Sequence, residues 1–196
     1  MTRAPQQRRL DTRERLLDAA RAIVAERGCV AALRTEDVVA AAGVAKGTFF
    51  SHFPDKEHLL AVLTAERLRA ARESVVAGAV VDVAQIVSSL LPILAEMIAE
   101  PAMMSAVVRF GGPASAVIDL YDELCAQQAH LQTVLAILQV HGRVRADVDA
   151  SLLAEGVQGF LFHAAISALC GPPGTDVQAR GRTLLSSLVT AWLHPD

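Results

Sequence analysis

TEDVVAAAGVAKGTFFSHF, residues 35–53, reads as two short helices around a tight turn. Thr35 is a good N-cap, and Glu36 and Asp37 place negative charge in the first turn, where the helix dipole favours it. Val38, Val39 and the alanines after them are small and apolar, so a second helix can pack close. Gly43 interrupts the pattern where a turn between helices calls for positive φ. Val44 returns to the core. Ala45, Lys46, Gly47 and Thr48 present small and basic groups on the next helix. Phe49, Phe50 and Phe53 close the segment with aromatic bulk, and Pro54 ends it. Two helices at this spacing form a helix-turn-helix, whose second helix can enter a DNA major groove.

The flanks extend the pattern. Upstream, DTRERLLDAARAIVAERG, residues 11–28, is an amphipathic helix with Leu16, Ala20, Ile23, Val24 and Arg27 at helical spacing. Asp11 or Thr12 suits its start and Gly28 its end. Residues 29–33 form an apolar linker expected in the core of this small domain. Downstream, DKEHLL starts a long fourth helix, capped by Asp55 and reaching about Ala77. Its apolar face is Leu59, Leu60, Val62, Leu63 and Leu68, and Gly78 marks its end or a kink. From Leu10 to Leu63, and most specifically from Ala42 to Leu60, this run resembles the DNA-binding domain of TetR-family transcriptional regulators.

A helix lying in the major groove needs small residues where backbone approaches DNA and a few polar groups that reach it. Ala45, Gly47 and Thr48 meet the first need, and Lys46, Thr48 and His52 the second. Lys56, with the first N–H groups of the fourth helix, can hold a phosphate, and Thr35 can do the same at the start of the second. The position before Ser51 is usually tyrosine in the family, with its hydroxyl on a phosphate. Here it is Phe50, which lacks that donor, so His52 or another group must replace the contact or it is lost. Ala45 likewise stands where serine or threonine is frequent.

Charge agrees with this placement. The net charge is −3, but residues 1–58 carry ten Lys+Arg against eight Asp+Glu, and residues 59–196 carry eight against thirteen. The two lysines of the chain, Lys46 and Lys56, both fall in the helix-turn-helix block. The arginine and alanine bias elsewhere reads as that of a high-GC bacterial genome. Hydrophobic residues make up 53 % of the 196 and aromatics 4 %, which favours a helical protein with a sizeable core. No run of about 20 apolar residues lacks a charge or a breaker, and no signal peptide is evident, so a cytoplasmic protein without a membrane is expected. Cys29, Cys125 and Cys170 are scattered and odd in number, which suits a reducing compartment.

After Val81 the chain changes character. Helices are expected over 83–100 (kinked at Pro92), 101–110, 114–141, from Asp149 or Ser151 to about Cys170, and 176–193. Gly111-Gly112-Pro113 and Gly171-Pro172-Pro173-Gly174 are breaks. The polar connector 142–149 resembles one that many TetR regulators carry before their last two helices. The expectation is thus an all-α fold of about nine helices. Residues 1–10 form a flexible basic arm, 11–54 the three-helix DNA-binding domain, 55–80 a linker helix, and 81–196 a larger ligand-binding and dimerisation domain.

The resemblance implies a homodimer, because one short recognition helix reads too few bases and a two-fold pair reads two half-sites. Gly156 and Gly159, with Leu184, Leu188 and Trp192, are the candidate dimer interface, in a four-helix bundle of the last two helices and their symmetry mates. Met97, Met104, Phe110, Tyr121 and Phe160 are candidates for an apolar effector pocket, with His130 and His163 as polar handles. No metal spacing, phosphate loop or catalytic set is identifiable, so neither cofactor nor enzyme activity is expected. The implied function is a ligand-responsive repressor released from a palindromic operator by a small, largely apolar effector. The alternative is a TetR-like helical protein acting mainly through protein or lipid contacts, with weakened DNA binding.

Overall fold

The computed structural model describes residues 5–27, 33–74, 82–112 and 117–194. Gly28, Cys29 and Gly78 lie outside these. The described residues form nine helices and no strand: α1 (Pro5–Arg27), α2 (Thr35–Ala42), α3 (Lys46–His52), α4 (Lys56–Ser74), α5 (Val83–Ala99), α6 (Pro101–Phe110), α7 (Ile118–Val140), α8 (Ala150–Leu169) and α9 (Val177–Leu193). α1 begins at Pro5, so residues 5–10 belong to a helix and not to a flexible arm. Proline suits a first helical position, where no N–H is needed.

The chain divides into two compact units. The first comprises residues 1–65 and 102–120, the second 66–101 and 121–196. α4 begins in the first and ends in the second, and α6 returns to the first.

In the first unit α1 packs on α2 and α2 on α3. Leu16, Leu17 and Ala20 of α1, Leu33, Val38, Phe49, Phe53 and Leu59 are buried together with at most 2 % exposure. Burial of such side chains stabilises the unit by about 1.5–3 kcal/mol each. In the second unit α8 packs against α9 and α5, and α5 against α9. α8 is the one described helix long and apolar enough to cross a membrane by composition. Its buried face, including Leu153, Val157, Leu161, Ala164 and Ala165, explains that composition by helix–helix packing. Asp149 caps α8 by accepting from Ser151 N–H, and Asp176 caps α9 by accepting from Ala179 N–H. α5 runs on through Pro92, whose side is exposed.

Candidate nucleic-acid interface and regulatory elements

The turn between α2 and α3 is fixed by backbone geometry. Gly43 has φ 62° and ψ 42°, the left-handed region where a side chain is disfavoured. Its N–H donates to Ala40 C=O, and Val44 N–H donates to Val39 C=O. These two bonds are the Schellman pattern that satisfies the last carbonyls of a helix. Arg15 of α1 donates to the Ala42 carbonyl from outside the motif, fastening α1 to the turn. Its role was not legible from spacing, because it lies 27 residues from its acceptor.

Two ion pairs complete the frame. Arg27 of α1 meets Asp37 of α2 at 2.6 Å, and Lys46 of α3 meets Glu36 of α2 at 2.6 Å. The side chains of Lys46 and Glu36 are 57 % and 65 % exposed, so the second pair is an open surface pair of small worth. The hydrogen bond from Lys46 holds Glu36 below the usual carboxylate range.

Thr35 does not cap α2. The hydrogen bonding starts one residue earlier, with Arg34 C=O accepting from Asp37 and Val38 N–H, so Arg34 is the N-cap and makes no side-chain bond. Thr35 is then the first helical residue, half-buried. Ala45 is the N-cap of α3 and Thr48 N–H donates to its carbonyl at 2.9 Å.

The exposed face of α3 carries Lys46, Gly47, Phe50 and Ser51, with Thr48 and His52 half-buried beside it. Phe49 is fully buried while its neighbour Phe50 is 48 % exposed, the rings meeting edge to face at 5.3 Å. A Cβ built on Gly47 meets nothing within 4 Å. His52 is held below the ordinary histidine range by burial, then by Arg9 and Arg13. Arg13 stacks over Phe53 at 5.3 Å and pairs with Asp119 at 3.6 Å.

Asp55 caps α4 as expected, accepting from His58 N–H at 2.9 Å and contacting the His58 ring at 2.6 Å. Burial pushes the Asp55 carboxyl up, but the bonds from His58 outweigh it and leave it lowered. Lys56 follows, half-buried, in the first turn.

Residues 16–63 match the model of bacterial regulatory proteins of the tetR family. The matched segment contains α2, α3 and the turn between them, so this part of the chain is similar to the DNA-binding region of that family. A TetR-family transcriptional regulator from Pectobacterium atrosepticum is 28 % identical, with 98 % of each chain covered and a TM-score of 0.65. RolR in complex with resorcinol superposes with a TM-score of 0.71 at 22 % identity, over 95 % of this chain and 89 % of that one. FadR of Thermus thermophilus, a repressor in complex with lauroyl-CoA, gives 0.65 at 21 % identity, over 94 % and 96 %. These last two share the fold. No curated protein matches the chain. The all-α expectation and the helix-turn-helix at residues 35–53 therefore stand.

The expected effector residues belong to both units. Met97, Tyr121, His130, Phe160 and His163 fall in the second unit, Met104 and Phe110 in the first. Met97, Met104 and Phe110 are buried, and Tyr121 and Phe160 half-buried. His130 and His163 are exposed, so neither is a polar handle inside a packed helix face. His163 instead meets Ser167 at 3.3 Å along α8.

The second unit holds charged groups that sequence reading missed. Glu123 of α7 is 3 % exposed and accepts from Arg72 at 2.6 Å and Arg69 at 3.2 Å, both on α4. The hydrogen bond to Glu123 raises Arg72 above its ordinary value. Arg67 of α4 pairs with Glu96 of α5 at 2.8 Å. The arginine–glutamate pairing across more than 50 residues leaves no periodic trace in the sequence.

Gly156 also has a reason for its small size within one copy. A Cβ there would come within 2.5 Å of Trp192 Nε1 of the same chain. Trp192 donates that Nε1–H to the Leu153 carbonyl at 3.2 Å and packs against Phe160 at 6.0 Å. Leu184 and Leu188 are half-buried beside the buried Leu185 and Val189. Gly159 is exposed, with open space around a built Cβ, and Leu152, Ile166 and Leu169 on α8 are exposed as well.

Proposed function

We propose that the chain is a homodimeric, ligand-responsive repressor that places α3 in the major groove of a palindromic operator. The observation that carries this is the exposed face of α3, where Gly47 has open space above it and a lysine beside it. A glycine inside a helix costs roughly 0.5–1 kcal/mol relative to alanine, so its presence without an internal reason speaks for close approach of an outside surface. In this reading Ala45 and Gly47 admit the DNA backbone and bases. Lys46 leaves Glu36 for DNA, Thr48 and His52 flank it, and Lys56 and Thr35 take phosphates at the starts of α4 and α2. Phe50 offers apolar contact, such as with a thymine methyl, where the family's tyrosine would offer a hydroxyl.

Gly159 and the exposed apolar residues of α8 pair with the same helix of a second copy, with Leu184, Leu188 and Trp192 along α9. The relatives bound to resorcinol and lauroyl-CoA support an effector for this chain that is largely apolar. α4 is the element that would transmit its binding, since Arg67, Arg69 and Arg72 at one end are gripped by acids of α5 and α7 while Lys56 stands at the other.

A footprint on the DNA upstream of the protein's own gene tests the reading. The expected result is a palindromic protected region whose half-sites lie about 34–36 Å apart or a multiple of that, lost as salt rises. Absence of binding to any genomic fragment at low salt would overturn it and favour a protein that acts through protein or lipid contacts, with the exposed Phe50 as its contact.

A further inference from the structure

A cavity of about 230 Å³ lies in the first unit, between the start of α4 and one face of α6. Its walls include the apolar Leu60, Ala106 and Phe110, and four polar side chains reach it: Lys56, Glu57, Ser105 and Arg109. Among the described residues neither Lys56 nor Arg109 is in an ion pair. Arg109 lies over the Phe110 ring at 5.1 Å, and Asp55, which feels Arg109, is already occupied by His58. Two cations therefore face one carboxylate, Glu57, and the cavity has a charge of +1. The start of α4 adds the positive end of a helix dipole.

We propose that this cavity binds a small amphiphilic monoanion, a carboxylate carried on one ring or a short alkyl chain. The size limits the class: a cavity of about 150 Å³ holds benzene, while drug-sized ligands need about 300 Å³ or more. The tail rests on Leu60, Ala106 and Phe110, and the carboxylate meets the Arg109 guanidinium and the Lys56 ammonium, with Ser105 as a further donor. Binding has a consequence that rests on the reading proposed above. There, Lys56 neutralises an operator phosphate. An ammonium held by a bound carboxylate is withdrawn from that task, so the anion and the operator compete without any movement of the effector domain.

The test uses the full chain and two probes, benzoate and hexanoate, each against its neutral alcohol. Calorimetry without DNA is expected to show one carboxylate binding at least tenfold more tightly than its alcohol. Arg109→Gln is expected to weaken it at least fivefold, and Ala106→Phe, which fills the cavity, to abolish it while thermal unfolding stays cooperative. No binding of either carboxylate, equal binding of the alcohols, or unchanged binding by Arg109→Gln each overturns the site. On an operator fragment, saturating carboxylate is expected to weaken wild-type binding and to lower the slope of log affinity against log salt by about one. Arg109→Gln is expected to keep its affinity without ligand and lose this response. Unchanged operator affinity with the carboxylate bound overturns the competition. If no DNA is bound at all, the operator reading fails and calorimetry still decides the cavity.

Discussion

Gly47 of α3 and two glycines of the α5–α8–α9 bundle, Gly156 and Gly181, occupy opposite situations. Gly47 stands in open space. Gly181 of α9 faces Ile98 of α5, where a Cβ would come within 2.7 Å of its Cδ1, and Gly156 faces Trp192. Both kinds weaken their helix by the same intrinsic amount. At Gly156 and Gly181 the loss is offset by close helix packing within one chain. At Gly47, among the described residues, nothing offsets it. Those two are thus explained by the bundle's own interior, and Gly47 by something that approaches from outside, as is Gly159 of α8, which also stands in open space. The polar frame differs in the same way. The helix-turn-helix is tied by exposed pairs from Arg27 and Lys46 and a part-buried bond from Arg15, while the second unit buries Glu123 beneath two arginines.

The largest effect is expected where α3 meets its own core. Phe49→Ala removes a fully buried ring and should cost about 3–5 kcal/mol, read from urea unfolding. Phe50→Ala, one residue on, should cost under about 1 kcal/mol, since half of that ring is already in water. Similar losses for both would break the division between an inner and an outer face.

Next in size are the packed glycines. Gly156→Val and Gly181→Val force side chains into Trp192 and Ile98, and each should lower stability by about 1–3 kcal/mol. Gly47→Ala should do the reverse, raising stability by up to about 1 kcal/mol while weakening operator binding about tenfold. A Gly47→Ala protein that binds DNA as well as wild type would remove the strongest reason for reading α3 from outside.

A smaller gain tests the pair that covers Lys46. Glu36→Gln frees the lysine and removes a carboxylate from beside the expected phosphates. Operator affinity should rise about threefold, and the rise should shrink with added salt. A fall in affinity would mean that Glu36 positions Lys46 and does not compete with DNA for it.

The sequence carried the local chemistry well. Gly43, the caps Asp55 and Asp149, and the helix from Pro101 to Phe110 each follow from one residue's local preference or from a breaker nearby. Errors came where the deciding partner was distant or where two neighbours compete. Thr35 and Arg34 both stand at the start of α2, and the carbonyl of Arg34 wins the first bonds. The contact of Gly156 with Trp192, 36 residues on, has no local signature. His130 and His163 sit among apolar neighbours in sequence, yet the helix turns both outward. The links of Arg15 and Glu123 span tens of residues and have no local signature.

His52 gives the smallest and most selective test of the outer face. Burial and two nearby arginines hold its ring below the ordinary histidine value, so the folded chain favours the neutral form. Stability contributed by that preference is present above the unfolded histidine pKa of about 6.5 and falls as the pH drops through it. A phosphate beside the ring acts in the opposite sense, favouring the protonated form, so operator binding should take up a proton. Affinity should therefore rise as the pH falls from 8 to 6, by about twofold or less. His52→Gln cannot titrate and should flatten that profile while leaving affinity at pH 8 nearly unchanged. A profile equally steep in the variant would place the proton on another group and remove His52 from the interface.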